Sequence, residues 1–381
     1  MIKRAITHLV RQRLGAFPAV TLSGPRQCGK TTLAQSLGGR YFNIESEAEQ
    51  VRLDAQWPDI MQSTELVIFD EAQHWPELFS RLRGEIDRDR KRNGRFLLLG
   101  SIAPSLMSGI GESLAGRMAV VDLAPLGLLE TSHLDTLWRC GGFPDGGVLT
   151  DSNAFPVWQD NYLRAMYERD LPHWGLPAKP ALTERLLRMT AAEHGSILNL
   201  SKLGQSLGLS YHTIETYLDF LQGTFLIRRL PPLHANLRKR LVKAPRLYWR
   251  DSGLLHALLR VDTESNLFSH PWVGASWEGF VIEEILKARQ ARGSSFDVHF
   301  FRSHDGWEAD LVLDDARGRE AIEIKLTSEP GREEIQRLDK VADLIGANRK
   351  TVICRIAEPI LSDSLTVTNL PAFLARESSS L

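Results

Sequence analysis

The strongest restriction on the fold lies near the start of the chain, in the run Gly24-Pro25-Arg26-Gln27-Cys28-Gly29-Lys30-Thr31-Thr32, whose first eight residues satisfy G-x-x-x-x-G-K-[ST]. The run follows an apolar stretch, AVTLS, and precedes a helical pattern, TTLAQSLG, which is the strand, loop and helix order the motif requires. Its glycines let the backbone curl so that successive N–H groups point inward at phosphates. Lys30 is then expected to reach the β and γ phosphates, and the Thr31 hydroxyl to ligate Mg²⁺. A tight connection without a ligand is the plain alternative.

Further runs, RYFNI, LVIFDEA, RFLLLGS and MAVVDL, alternate with polar or amphipathic stretches as far as residue 125. That alternation predicts an α/β domain with a parallel sheet covered by helices on both faces. In Leu66-Val67-Ile68-Phe69-Asp70-Glu71 four apolar residues end in two acids, as expected of a central strand whose carboxyl end opens on the ligand. Asp70 is expected to hold Mg²⁺ through water, and Glu71 to orient and deprotonate an attacking water. Ser101, after the strand Phe96 to Leu99, is read as a γ-phosphate sensor or as a helix cap. Arg117 is read as a transition-state cation, in cis or toward a neighbouring subunit of a homo-oligomer, or as an exposed arginine at the start of a strand.

With 381 residues, two or three domains are expected. Hydrophobic residues are 43% and charged residues 24% of the chain, a globular balance. The net charge of -1 means that attraction to nucleic acid has to come from a local patch. The three cysteines, Cys28, Cys140 and Cys354, have neither zinc nor disulfide spacing, which fits a reducing cytoplasm. Arginines interrupt the apolar residues of MIKRAITHLVRQRLGAF, so this stretch reads as an amphipathic helix and not as a secretory signal or membrane span.

The expected divisions are an ATPase-type domain at 1–130, a linker with a helical lid at 131–180, a winged helix-turn-helix at 181–260 and a carboxy-terminal domain at 265–381. Helices are predicted from Ser201 to Leu207 and from Ser210 to Gln222, with Leu203, Leu207, Ile214, Tyr217, Leu218 and Leu221 as their core. Glu215 and Asp219 give the second helix an acidic bias that disfavours reading of bases. Between Arg228 and Arg250 stand Arg228, Arg229, Arg238, Lys239, Arg240, Lys243, Arg246 and Arg250 with no acid until Asp251. This basic segment either neutralises DNA phosphates or acts as an interdomain strut paired with acids of the first domain.

In FDVHFFRSHDGWEADLVLDDARGREAIEIKLTSEP a hairpin symmetric about Ala316 and Arg317 sets Asp310 opposite Glu323, with Lys325 on the same face. Facing carboxylates make sense around a divalent cation, with Lys325 holding or activating a water. Glu278, in the apolar stripe of SWEGFVIEEILKA, is expected to join them, whereas Glu283 and Glu284 are expected to face solvent. Such a set suits Mg²⁺ and phosphodiester cleavage, and a solvated hairpin with incidental charges is the alternative.

Taken in order, GPRQCGKTT, LVIFDEAQ, GSIAPSLM, SLAGRMAVVDLAPLGLLE, GGFPDGG, YLRAMYERDL, LYWRDSGLL, ASWEGFVIEEIL, WEADLVLDD and EAIEIKLT resemble a family of prokaryotic AAA+-type ATPases. The resemblance covers most of the chain. It implies a P-loop AAA+-type parallel-sheet domain, a winged helix and a C-terminal domain of unknown function with a restriction-endonuclease-like PD-(D/E)xK fold. It further implies ATP and Mg²⁺ at residues 24 to 31, Asp70 and Glu71, and a nuclease-type site at Glu278, Asp310, Glu323 and Lys325. Ala309 stands where the superfamily name has proline. The function expected is an ATPase coupled to a DNA-directed module; the alternative is a nucleotide switch that binds proteins through the winged helix and a silent endonuclease fold.

Overall fold

The computed structural model describes residues 2–107, 113–149, 154–233, 242–362 and 365–379. These form two units, the first made of the described residues up to Leu126 with the short pieces 220–226 and 290–293, the second of the other described residues.

In the first unit, α1 (Thr7–Ala16) leads into β1 (Ala19–Ser23), α2 (Lys30–Ser36), β2 (Arg40–Asn43), α3 (Glu47–Gln62), β3 (Val67–Asp70), α4 (Glu77–Arg88), β4 (Phe96–Gly100) and β5 (Met118–Asp122). The strands line up in the order β2-β3-β4-β1-β5, every neighbouring pair parallel. Strands β1, β3 and β4 are buried at every residue. Two-sided covering explains why they read as continuous apolar runs and not as alternating ones. One covering face comes from α4, whose Leu78, Phe79, Leu82 and Ile86 are buried; each such side chain contributes about 1.5–3 kcal/mol on leaving water. Strand order reverses at β1, which has β4 on one side and β5 on the other. A crevice outside the carboxyl ends of strands is expected at such a point.

In the second unit the stretch expected to be a linker is packed structure. Helices α5 (Leu134–Cys140) and α6 (Val157–Ala165) carry Trp138 and Tyr162, and Phe143 lies in the connection between them; all three are buried. Trp138 lies edge-on to Trp277 at 5.1 Å and donates from Nε1 to the Ser276 hydroxyl at 3.1 Å. The glycines of GGFPDGG also have a structural purpose. Asp251 caps α10 (Ser252–Leu258) by accepting from the Leu254 N–H, and its other oxygen accepts from the Gly142 N–H at 2.8 Å. A Cβ at Gly141 would stand 2.1 Å from the Asp251 carboxylate, so glycine is needed there.

Before α10 come α7 (Pro180–Ala192), α8 (Leu200–Leu207) and α9 (Tyr211–Gly223), with β6 (Ile227–Leu230) and β7 (Arg246–Trp249) paired antiparallel. The turn between α8 and α9 is at Gly208, and all six residues expected to form the core of the helix pair are buried. After α11 (Val273–Ala291) follow β8 (Phe296–Arg302), β9 (Glu308–Asp315), β10 (Gly318–Ile324), α12 (Arg332–Ile345), β11 (Arg349–Ile353), β12 (Ile360–Leu361), β13 (Thr366–Thr368) and α13 (Leu370–Ser379). Their six strands form one mixed sheet, ordered β12-β13-β11-β10-β9-β8. Strands β8, β9 and β10 form an antiparallel meander, and α12 carries the chain over to β11, parallel to β10. Leu338, Val341, Ala342 and Ile345 of α12 pack with Val312, Ala321 and Val352 of the sheet. Among the described residues, no helix is long and apolar enough to cross a membrane.

Candidate functional site

The loop from Gly24 to Gly29 leaves the carboxyl end of β1 and enters α2 at Lys30. Its curl has visible causes. A Cβ at Gly24 would come within 2.1 Å of the Leu123 carbonyl oxygen, and Gln27 and Gly29 adopt φ of 59° and 97°. The buried guanidinium of Arg4 braces the loop, donating to the Cys28 carbonyl at 2.7 Å and to the Ala124 carbonyl at 2.6 Å. Burial of Cys28 pushes its thiol pKa up, in keeping with a packing role. Pro25 is buried, Arg26 partly buried and Thr32 exposed.

Lys30 is 5% exposed; its ammonium donates to the carbonyls of Gly24 and Pro25, each at 2.9 Å, and to Ser101 Oγ at 3.2 Å. The Ser101 hydroxyl in turn donates to Glu71 Oε1 at 2.9 Å, and Gln73 Nε2 donates to Glu71 Oε2 at 2.5 Å. Thr31 Oγ1 donates to Asp70 Oδ2 at 2.7 Å, and so does the Tyr41 hydroxyl, also at 2.7 Å. Burial, and then the bond to Asp70, push the Tyr41 phenol above its ordinary range, so it remains a donor. Parallel pairing of β2 with β3 sets Asn43 beside Asp70 and keeps Tyr41 within reach. Glu71 has φ of 51°, so the chain turns sharply directly after Asp70. This chain of contacts brings Lys30, Thr31, Asp70, Glu71 and Ser101 together at one end of the sheet.

The donor set suits Mg²⁺. Mg²⁺ keeps several waters and takes one or two protein oxygens plus phosphate oxygens, and the Thr31 hydroxyl and Asp70 carboxylate already share one point.

Arg117 requires a correction as an in-cis cation. Strand β5 pairs with β1 so that Ala19 lies beside Met118 and Ser23 beside Asp122. Arg117 therefore stands at the amino end of the sheet, a strand length of roughly 16 Å from the loop. There its guanidinium forks onto Asp87 at 2.9 and 2.8 Å.

In the second unit the β9–β10 register, continued one residue beyond Ile322 beside Leu311, sets Asp310 opposite Glu323. Asp310 is 4% exposed and accepts from the Ile324 N–H at 2.9 Å. Lys325 lies 2.6 Å from Glu323 and 4.0 Å from Asp310. Glu278 points inward, but its partners are Arg246 Nη1 at 3.1 Å and the Tyr248 hydroxyl. Arg246, whose side chain is 5% exposed, also pairs with Asp310 at 3.4 Å and with Glu308.

The expected acidic triad is thus interleaved with two cations. Among the described residues, no group of three acids, histidines or cysteines is arranged to hold a metal ion. The divalent-cation reading of Glu278, Asp310 and Glu323 does not fit this conformation. Burial, and then the charge of Asp310, push both Glu278 and Glu323 well above the usual carboxylate range. Burial would lower the Lys325 ammonium, but Asp310 and Glu323 outweigh it and raise its pKa. Lys325 is consequently a fixed cation and a poor base for activating water.

Two further expectations change. Glu283 and Glu284 are buried, at 3% and 2% exposure. Glu283 accepts from Arg228 and pairs with Arg250, while Glu284 accepts from the Leu128 N–H at 2.6 Å and from Lys287 at 2.7 Å. Compensated charges can be buried where lone ones cannot. The basic segment is correspondingly reduced as a phosphate-binding surface: Arg228 and Arg250 grip Glu283, Arg229 pairs with Asp219, and Arg246 with Glu278, Glu308 and Asp310. Lys243 is exposed, and Arg238, Lys239 and Arg240 lie outside the described residues.

Sequence reasoning passed over Arg4, Tyr41 and Gln73, and the destinations of Arg246 and Tyr248. Arg246 and Tyr248 are two apart on β7, on one face, and this alternation was the available signal.

Geometry and family comparison agree on the class of the first unit: it is a P-loop ATPase domain of the AAA type, residues 16–132 matching the AAA domain family. Two further stretches match domains of unknown function, DUF8612 over residues 131–265 and DUF4143 over residues 273–373. The chain belongs to the family of the uncharacterized proteins Rv2008c of Mycobacterium tuberculosis and Mb2031c of Mycobacterium bovis. With each it is 36% identical over 327 residues, covering 84% of this chain and 73% of the relative. Solved structures similar to it include the Walker-type ATPase PABY2304 of Pyrococcus abyssi, 13% identical over 68% of this chain and 96% of that one, TM-score 0.46. Another is RuvB of Thermotoga maritima, 18% identical over 60% and 90% of the two chains, TM-score 0.30.

Proposed function

We propose that the first unit binds ATP with Mg²⁺ and hydrolyses it to ADP and phosphate. The observation that carries this reading is the hydrogen-bonded chain Lys30, Ser101 and Glu71 beside the Thr31 and Asp70 pair. In this reading the loop N–H groups receive the phosphates, and Lys30 exchanges its bonds to the Gly24 and Pro25 carbonyls for β- and γ-phosphate oxygens. Thr31 and, through water, Asp70 would hold Mg²⁺, which would supply neutralisation of phosphate charge. Glu71 takes a proton from the attacking water as its oxygen bonds to the γ phosphorus and the bond to the bridging oxygen breaks. Ser101 holds that carboxylate beside Lys30, so entry of a γ phosphate would be felt by both. Release of phosphate from ATP by the full chain tests this. Release is expected with Mg²⁺, stopped by a chelator and lost in Lys30→Ala; equal release by native and variant chains would overturn it.

For the second unit we propose a winged helix, on the strength of the α8–α9 pair followed by the β6–β7 strands, and an endonuclease-like fold, on the strength of the mixed sheet with Asp310, Glu323 and Lys325 on neighbouring strand ends. With Arg246 seated among its carboxylates, that fold is in a closed state, silent toward DNA until it opens.

A further inference from the structure

We infer that Arg246 is the resident cation of the carboxylate cluster in the second unit, and that a divalent cation enters this cluster only when the guanidinium is withdrawn. The inference rests on reading Glu278, Asp310, Glu323 and Lys325 as an endonuclease-like site, and it names what keeps that site from its metal.

The observations converge on one side chain. A guanidinium 5% exposed lies within 3.1 Å of Glu278 and 3.4 Å of Asp310, and its other terminal nitrogen donates to Glu308. Its carbon stands 5.0 Å from the centre of the Phe300 ring, which lies over the guanidinium. Its Nε is buried without a hydrogen-bond partner. A buried donor left unmade costs free energy, so the position is held by the carboxylates and not by a complete set of bonds. Glu278 and Asp310 present to Arg246 the oxygens a metal would need. A hard divalent cation must bring its ligand oxygens to about 2.0–2.6 Å, which leaves no room for a second cation on the same oxygens.

Charge points the same way. Glu278, Glu308, Asp310 and Glu323 are met by Arg246, Lys325 and Arg302, the last 3.2 Å from Glu308. Four carboxyl groups and three fixed cations already approach balance, before any proton is counted. Arg246 is buried and paired on both terminal nitrogens. It stands on β7, whose strand pair is fastened to α11 by Arg228 and Arg250 on Glu283. The strand pair and α11 so joined hold Arg246 over the acids, which makes those three arginines a latch.

Mn²⁺ binding to the full chain, measured by calorimetry without nucleotide, tests this without reference to cleavage. The native chain is expected to bind no Mn²⁺ that Asp310→Asn removes. Arg246→Met, with its circular dichroism unchanged, should gain one bound Mn²⁺ that the native chain lacks, and Arg246→Met/Asp310→Asn should lose it. Arg246→Lys, which keeps a cation in place, should behave as native. Either of two results overturns the inference: a native chain that binds Mn²⁺ in an Asp310-dependent manner, or a folded Arg246→Met chain that gains no ion. Should Arg246→Met fail to fold, the native and Asp310→Asn comparison decides alone. Adding duplex DNA separates the two readings: an ion bound by Arg246→Met without cleavage retires the nuclease reading and leaves the latch intact.

Discussion

Replacing Glu71 with Gln is expected to leave ATP binding within about threefold of native and to lower phosphate release by roughly 10²–10⁴-fold, the usual contribution of a positioned general base. The amide matches the carboxylate in shape and can still accept from Ser101, which now bonds Glu71 Oε1 at 2.9 Å, so the geometry around Lys30 is retained. What the amide cannot do is take a proton from water. Single-turnover phosphate release alongside calorimetric ATP binding separates the two effects. A rate within a few-fold of native would remove Glu71 from proton transfer and leave it a purely structural partner of Ser101 and Gln73.

A second large effect is expected in stability. Arg289, 2% exposed, lies 2.6 Å from Asp315, 3.1 Å from Glu377 and 3.7 Å from Glu320. Arg317, Arg349 and Arg376 share the same three carboxylates from more exposed positions. Arg289→Met keeps most of the volume and leaves buried carboxylates short of their central cation, so unfolding free energy should fall by about 3–5 kcal/mol. Urea denaturation measures this, and a loss below about 1 kcal/mol would mean that the outer arginines suffice.

The same cluster fixes a pH dependence. Burial would raise the Asp315 carboxyl, but hydrogen bonds from Arg289 and Arg317 and the charge of Arg349 outweigh it and pull the pKa down to about 2. A carboxyl lower in the folded than in the unfolded chain stabilises above its unfolded pKa, about 3.9 for Asp. That stabilisation is lost as pH falls from there toward 2.

The parts of this molecule that could be read from sequence are those specified locally. The loop from Gly24 to Thr31 carries its own conformational requirements, so strand, curl and helix follow from adjacent residues. The β9–β10 register follows from one turn, and the buried residues of α8 and α9 follow from helical periodicity. Misreadings occur where distant partners decide. Wheel reasoning assumes one wet face, but α11 is buried almost all round, so Glu283 and Glu284 had no solvent to face. Arg246 looked like one cation in a basic run because nothing local to β7 announces carboxylates contributed by α11 and β9. Trp138 and Phe143 belong to a core built from aromatics and glycine turns, without a period to detect, and that is why residues 131–180 resembled a linker. Arg117 could be read as standing at the start of a strand, but the parallel register that sets that start at the far end of the sheet from the loop is a long-range fact.

The most direct test of the central claim is calorimetry of the full chain with ATP and Mg²⁺, native against Lys30→Ala. The native chain should give saturable heat with one ATP per chain, and the variant should lose at least about 100-fold in affinity, as expected when a buried charged contact to phosphate is removed. Absence of heat in the native chain, or identical binding by both, would contradict the assignment of the Gly24–Thr31 loop as a triphosphate site.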